Sequence, residues 1–166
     1  YATPRLRGSR IPIEGFVHPL HRAPEGGTSW TRGEIHEHGH LRGRELCWVE
    51  NALEAYLVQV NGSAVIAWVD EYGLETGEES VIVWSASNGH DYTSLGRLAI
   101  EQGLAHEDEM SLARLRALHA SHPELIETLM LENPRYIMFR ELEATEELQG
   151  SRGRTLIPGV SLASDP

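Results

Sequence analysis

Apolar and polar positions follow two periods along this chain. The first 30 residues are broken up by Pro, Gly, Arg and His, and residues 15–20 are the one stretch there that predicts a strand. Thr31-Arg-Gly-Glu34 fits the capping box, in which the threonine hydroxyl and the glutamate each satisfy an orphan backbone N–H. It predicts a short helix over 32–38, ended by Gly39. Residues 46–50 read as a strand. Asn51-Ala-Leu-Glu54 is a second candidate cap, and Leu53, Tyr56, Leu57 and Val60 follow at helical spacing, although a strand also fits.

Asn61-Gly62-Ser63 signals a turn, and residues 64–70 are rich in β-branched and aromatic side chains. Residues 71–80 read as a polar connection and 81–84 as a continuous apolar strand, together an antiparallel hairpin. A second turn falls at Asn88-Gly89. Beyond it the period becomes helical. Residues 93–102 place Leu95, Leu98 and Ala99 on one side, with Gly103 as the residue after the cap. Ser111 caps a helix carrying Leu112, Leu115 and Leu118. Ser121-His-Pro-Glu124 reads as another capping box, opening a helix that buries Leu125, Ile126, Leu129 and Met130 until Asn133-Pro134 stops it. Residues 135–142 return to strand character, and 143–153 form a charged, glycine-bearing loop. The expected class is α+β in one domain: a β half, a helical segment and a returning strand.

Composition narrows the function classes. The chain has 166 residues, enough to bury a core without disulfides or metal. Its 14 cations, all arginine, face 25 acids, for a formal net charge of −11. That field repels phosphate backbones and anionic lipid, so no nucleic acid is expected as a partner and a membrane surface is a poor candidate, although Arg5, Arg7 and Arg10 form a small basic patch. No apolar run approaches the ~20 residues of a membrane span, so no direct membrane insertion by this segment is expected. The chain starts on Tyr1 and ends on Ser161-Leu-Ala-Ser-Asp-Pro166, which reads as a processed chain or a piece of a longer one.

Three chemistries come into question. His36, His38 and His40 would share one face of a strand, as zinc ligands could, but the capping box favours a helix, on which only His36 and His40 share a face. They are read as a surface cluster, with no metal and no cofactor expected. Cys47, the single cysteine, lies in an apolar strand and reads as a buried thiol. Among many acids, Asp91 and Asp165 stand apart because they fall in loops. The third is a polar and aromatic cluster: Gln59, Asn61 and Ser63, then Ser87, Asn88, His90, Tyr92 and Ser94. Amides and hydroxyls beside a tyrosine ring suit a neutral sugar, since the ring stacks on its apolar face and the amides both donate and accept. Two Asn/Gly turns that need such residues for their own backbone are, from residue types alone, the simpler explanation of the same cluster.

At these turns the sequence resembles the membrane-bound lytic murein transglycosylase A family, in its insert domain. Tyr1-Ala-Thr-Pro4 and Gly8-Ser-Arg10 look like the family's entry segment. Phe16-Val-His-Pro-Leu-His-Arg22 is similar to its Tyr-Pro-(Ile/Leu)-Tyr-Arg stretch, and Thr31-Arg-Gly-Glu-Ile35 to its Ser/Thr-Arg-x-Glu-Ile. Val58-Gln-Val-Asn-Gly-Ser63 matches its Val-Gln-Gly-Ser-Gly region. Asn88-Gly-His-Asp-Tyr-Thr-Ser-Leu-Gly-Arg97 matches its Asn-Gly-His-x-Tyr-x-Ser-Ile-Gly-Arg/Lys run, followed by Glu107-Asp-Glu-Met-Ser111. Asn133-Pro-Arg-Tyr-Ile-Met-Phe-Arg-Glu-Leu142 and Pro158-Gly-Val-Ser-Leu-Ala-Ser-Asp-Pro166 complete a collinear series. Asn61, Ala64 and Ser87 depart from the family's glutamine, glycine and lysine.

The resemblance implies a β-rich, barrel-like insert domain with several short helices over 1–158, and the start of a truncated double-psi β-barrel catalytic domain over 159–166. It implies cleavage by the parent enzyme of the β-1,4 bond between N-acetylmuramic acid and N-acetylglucosamine in peptidoglycan, leaving a 1,6-anhydro end. One aspartate then serves as acid and base, because the sugar's own 6-hydroxyl replaces water. Asp165 matches the first of three family aspartates, not the acid/base, whose segment lies further downstream. This chain is therefore expected to bind glycan strands through Gln59, Asn61, Ser63, Asn88, Tyr92 and Ser94 and to be inactive alone. Its implied partners are peptidoglycan and the barrel domain of the same parent. The implied location is the bacterial cell envelope, facing the periplasm, with the parent often an outer-membrane lipoprotein. A stand-alone carbohydrate-binding or protein-docking module is the alternative, and a metal-binding protein built on the histidines is the third reading.

Overall fold

The computed structural model describes residues 3–142. In chain order the strands are β1 (Arg5–Ser9), β2 (His18–His21), β3 (Glu45–Val49), β4 (Ser63–Val69), β5 (Glu75–Ser87) and β6 (Ile137–Glu141). The α-helices are α1 (Arg32–His38), α2 (Ala52–Asn61), α3 (Leu95–Glu101), α4 (Leu112–Ser121) and α5 (Pro123–Met130). This is the expected α+β class. Within the stretch read as one domain, the described residues divide into two compact units. The first comprises residues 3–26, 43–86 and 137–142, and the second Gly27–Arg42 and Ser87–Tyr136.

The first unit is a six-stranded mixed sheet in the order β2-β3-β1-β4-β5-β6, with α2 packed against it. The end strands β2 and β6 approach each other, so the sheet curls in the barrel-like sense expected. Its core includes Leu20, Val49, Ile66, Ile82 and Phe139, all nearly inaccessible to solvent. β1 was not foreseen, yet it is an inner strand, antiparallel to β3 and parallel to β4. Its signal is masked by arginines. Arg5 pairs with Glu79 and Glu75 at 2.8 and 3.1 Å, and Arg7 with Glu50 at 3.0 Å, while Leu6 packs on the core. Gly8 has no room for a side chain: a Cβ there would lie 2.6 Å from Ile66 Cγ2.

Two further expectations are corrected. The strand expected over 15–20 is β2, shifted towards His21, with Gly15 at φ 85° in a tight turn closed by the Ile13–Phe16 bridge. The connection expected over 71–80 ends at Leu74, and β5 begins at Glu75. Residues 75–79 are exposed, so no buried face imposes alternation, and they pair with β4 through the backbone. The ambiguous segment after Asn51 is a helix, capped by Asn51 Oδ1 accepting from the Glu54 N–H at 3.0 Å.

The second unit is helical. α1 has the expected bounds, with both halves of the capping box formed and Gly39 left-handed at φ 62°. α3 ends in a Schellman motif, in which the Gly103 N–H reaches Ile100 O and the Leu104 N–H reaches Ala99 O. The box at Ser121–Glu124 does not form. α4 runs through Ser121, whose hydroxyl donates back to Ala117 O, so His122 becomes the joint and α5 starts on Pro123. Leu125 turns outwards at 39% exposure and Met130 is only partly buried, contrary to expectation, and Leu112 at the start of α4 is 47% exposed. Ile126 and Leu129 are buried as expected. Among the described residues no helix is long and apolar enough to cross a membrane.

Candidate functional site

The expected sugar-facing residues fall on both units, Gln59, Asn61 and Ser63 on the first, Asn88, Tyr92 and Ser94 on the second. In the first unit α2 ends on Gly62 at φ 90°, whose N–H bonds Val58 O at 2.8 Å. That left-handed step turns the chain directly into β4. Asn61 lies exposed at the turn, its Nδ2 donating to Ser63 O at 3.1 Å. Gln59 points the other way. It is buried, and its Oε1 accepts from the Ile137 N–H at 3.2 Å, tying α2 to β6.

Beside this turn stands a residue that sequence reasoning did not select. Trp84 donates its backbone N–H to Gly62 O at 2.8 Å, and its side chain is 50% exposed. By strand parity it shares the face of buried Ile82, but it lies opposite a glycine at the end of β4, where the core has run out. A tryptophan in an apolar run reads as core, so its exposure is visible only once the register is known.

In the second unit Asn88 is the hub of the 88–94 turn. It is 3% exposed, and Nδ2 donates to Trp30 O at 2.7 Å and Pro134 O at 2.8 Å. Oδ1 accepts from the Tyr136 N–H at 2.9 Å and the His90 N–H at 3.4 Å. Its capacity is used up internally. Asn133 acts likewise, accepting from the N–H groups of Thr93 and Arg135 at 2.9 and 3.2 Å. Buried Arg32 clamps the carbonyls of Asn133 and Arg135 at 3.1 and 2.6 Å. Ser94 caps α3 by accepting from the Arg97 N–H at 3.2 Å. Tyr92 emerges from this scaffold 50% exposed. The polar residues of the turn therefore hold the backbone, and the ring faces water.

The other candidates are placed as follows. His36 and His38 are exposed on α1, and the His40 ring stacks on Trp30 at 3.9 Å. Among the described residues, no group of three or more His, Cys, Asp or Glu is arranged to hold a metal ion. Asp91 is exposed, and Asp165 lies outside the described residues. Glu141 is held below the usual carboxylate range: burial raises it, but hydrogen bonds from Ser80 and Arg10 outweigh that effect. Cys47 is wholly inaccessible, and burial pushes its thiol up to about 12. It should resist a thiol-specific reagent at pH 8 in the folded protein and react promptly in denaturant; rapid labelling of folded protein would contradict its placement.

Comparison with known proteins adds relatives to this geometry. The family described as "MltA specific insert domain" matches residues 1–140. The chain is 29% identical to the membrane-bound lytic murein transglycosylase A of Vibrio cholerae, covering 99% of this chain and 44% of that protein. It is 26% identical to the Escherichia coli K12 protein of the same name, with the same coverage. It thus spans less than half the length of these curated relatives. The solved lytic transglycosylase LtgG of Burkholderia pseudomallei superposes with a TM-score of 0.77 at 26% identity, over 87% of this chain and 43% of that one. E. coli MltA solved with bound chitohexaose shares the fold at a TM-score of 0.77 and 23% identity, over 87% and 42% of the respective chains.

Proposed function

Since this chain belongs to the family of MltA specific insert domains, we propose that it is the glycan-binding lobe of a lytic murein transglycosylase. The parent would cleave the MurNAc-β-1,4-GlcNAc bond of peptidoglycan and leave 1,6-anhydroMurNAc ends. The observation that carries this reading is a pair of half-exposed rings, Trp84 and Tyr92, each beside a turn whose backbone is already satisfied by internal hydrogen bonds. A sugar ring offers an apolar face, and a rigid aromatic surface meets it at little entropic cost. Exposed Asn61, whose Nδ2 donates to Ser63 O and Ser63 Oγ at 3.1 and 3.4 Å, presents its Oδ1 as an acceptor, and the Ser63 hydroxyl supplies a donor, for hydroxyl and acetamido groups next to Trp84. Gln59, Asn88 and Ser94 act as positioning residues, since their side chains bond backbone groups. The relative solved with chitohexaose, an oligomer with the same β-1,4 linkage, supports the substrate class.

The lobe would act with a barrel domain of the same parent, which carries the catalytic aspartate, and would not cleave by itself. The domain boundary near residue 158 and a cell-envelope location facing the periplasm belong to the same proposal, and the relatives' description as membrane-bound agrees with that location. Co-sedimentation with purified peptidoglycan sacculi tests the binding. Wild type should be retained, and Trp84→Ala and Tyr92→Ala should each weaken retention by about two- to tenfold, the worth of one aromatic contact. Folded wild type left wholly in the supernatant, or new 1,6-anhydro ends produced by this chain, would overturn the reading.

A further inference from the structure

Single exposed apolar side chains are common and call for no explanation. Trp30 differs in how it is held. Its indole is stacked on the His40 imidazole, with centroids 3.9 Å apart and planes 15° from parallel, yet the residue remains 39% exposed. Its backbone is fixed on every side. The Trp30 N–H bonds Thr28 Oγ1 at 3.1 Å, and its carbonyl takes a hydrogen bond from the buried Asn88 amide at 2.7 Å. The preceding carbonyl, of Ser29, meets His90 Nε2 at 2.7 Å, and the next residue, Thr31, caps α1. Asn88 and His90 belong to the turn that presents Tyr92, so the two exposed rings of this unit project from one hydrogen-bonded piece.

We propose that Trp30, backed by His40, is a second sugar-stacking platform of the lobe and takes the apolar face of a neutral pyranose in a glycan strand. The inference rests on the glycan-binding reading above and adds a binding residue to it. Stacking on imidazole fixes the plane of the indole without burying it, so little rotational freedom remains to be lost when a ligand arrives. The His38 ring, 5.4 Å from His40 and tilted by 43°, adds a polar edge able to donate to or accept from a hydroxyl. Glu34 and Glu37 are exposed on the same helix, and the chain carries −11 overall, which favours a neutral sugar over an anionic ligand at this place.

The test uses the full chain labelled with fluorotryptophan and titrated with chitohexaose, read by fluorine NMR. The Trp30 resonance is assigned by its loss in Trp30→Phe. A saturable shift of that signal, with buried Trp68 unmoved, is the expected result. Trp30→Ala should then weaken retention on sacculi several-fold, with Trp30→Phe recovering part of it. If the Trp30 signal stays fixed while wild type is retained and Tyr92→Ala is not, the platform is wrong and the lobe reading stands. If wild type binds neither chitohexaose nor sacculi, both fall. The NMR arm needs no destabilising substitution, so a poorly folded Trp30→Ala protein does not spare the proposal.

Discussion

Asn88→Ala is expected to cost about 3–6 kcal/mol and to loosen the second unit, although the residue sits in a surface turn by sequence. The amide is 3% exposed and serves Trp30 O, Pro134 O and the Tyr136 N–H, with a longer bond from the His90 N–H. Truncation removes one partner from each of these bonds at once, and a buried group left unpaired costs roughly 1–3 kcal/mol. Asn88→Asp tests the direction of the bonds. It keeps the shape but sets a carboxylate oxygen where two donors stood, against two carbonyl oxygens, so it should be no better than alanine at neutral pH. It should recover partly in acid, where a protonated carboxyl regains one donor. Urea unfolding of both variants, with hydrogen exchange at the Tyr136 amide, measures this. A variant within about 1 kcal/mol of wild type would show that the hub is dispensable.

This outcome bears on how the site was legible. The residues around both turns admitted two readings from sequence, sugar contact or turn scaffolding, because both use amides and hydroxyls. The structure separates them by direction. The amides of Gln59 and Asn88 point inwards to backbone groups, while Asn61 and the ring of Tyr92 remain outside. Direction depends on contacts with Ile137 and Tyr136, many residues away, and no local pattern carries it. Trp30 and Trp84 were missed for a related reason. A bulky apolar residue reads as core, and its exposure follows from where strands end and what stacks beside it.

Features decided within a turn or two were readable. The cap at Thr31 with Glu34, the left-handed Gly39, Gly62 and Gly103, and the caps at Asn51 and Ser111 depend on a few consecutive residues. Elements decided by partners were not. β1 shows arginines where a half-buried strand usually shows neutral polar residues, because its outer face is built from cross-strand ion pairs with Glu50, Glu75 and Glu79. The Ser121 box failed for a third reason. Two signals competed for one residue, and continuation of α4 through Ser121 left no free cap.

Acid should weaken the first unit through His21. This residue lies in β2 opposite Glu45, at the register shift after Leu20, and is 8% exposed. Burial pushes its imidazole down to about 4 from an ordinary value of 6.5, against the opposing pull of the Glu45 carboxylate. The folded chain thus refuses a proton that the unfolded chain accepts. Stability from this group is fully present above about pH 6.5, is lost as pH falls towards 4, and changes no further below that. A tenfold difference in proton affinity between the folded and unfolded chains corresponds to ~1.4 kcal/mol, so the loss across the window is about 3 kcal/mol. His21→Gln keeps a polar side chain but cannot titrate. Its stability, measured by urea unfolding between pH 7.5 and 4, should fall less steeply than wild type by about that amount. Parallel pH profiles, or a His21 ring signal titrating near 6.5 in the folded protein, would remove the histidine from the account and leave the acid response to the carboxylates, beginning with Glu141 and its bonds to Ser80 and Arg10.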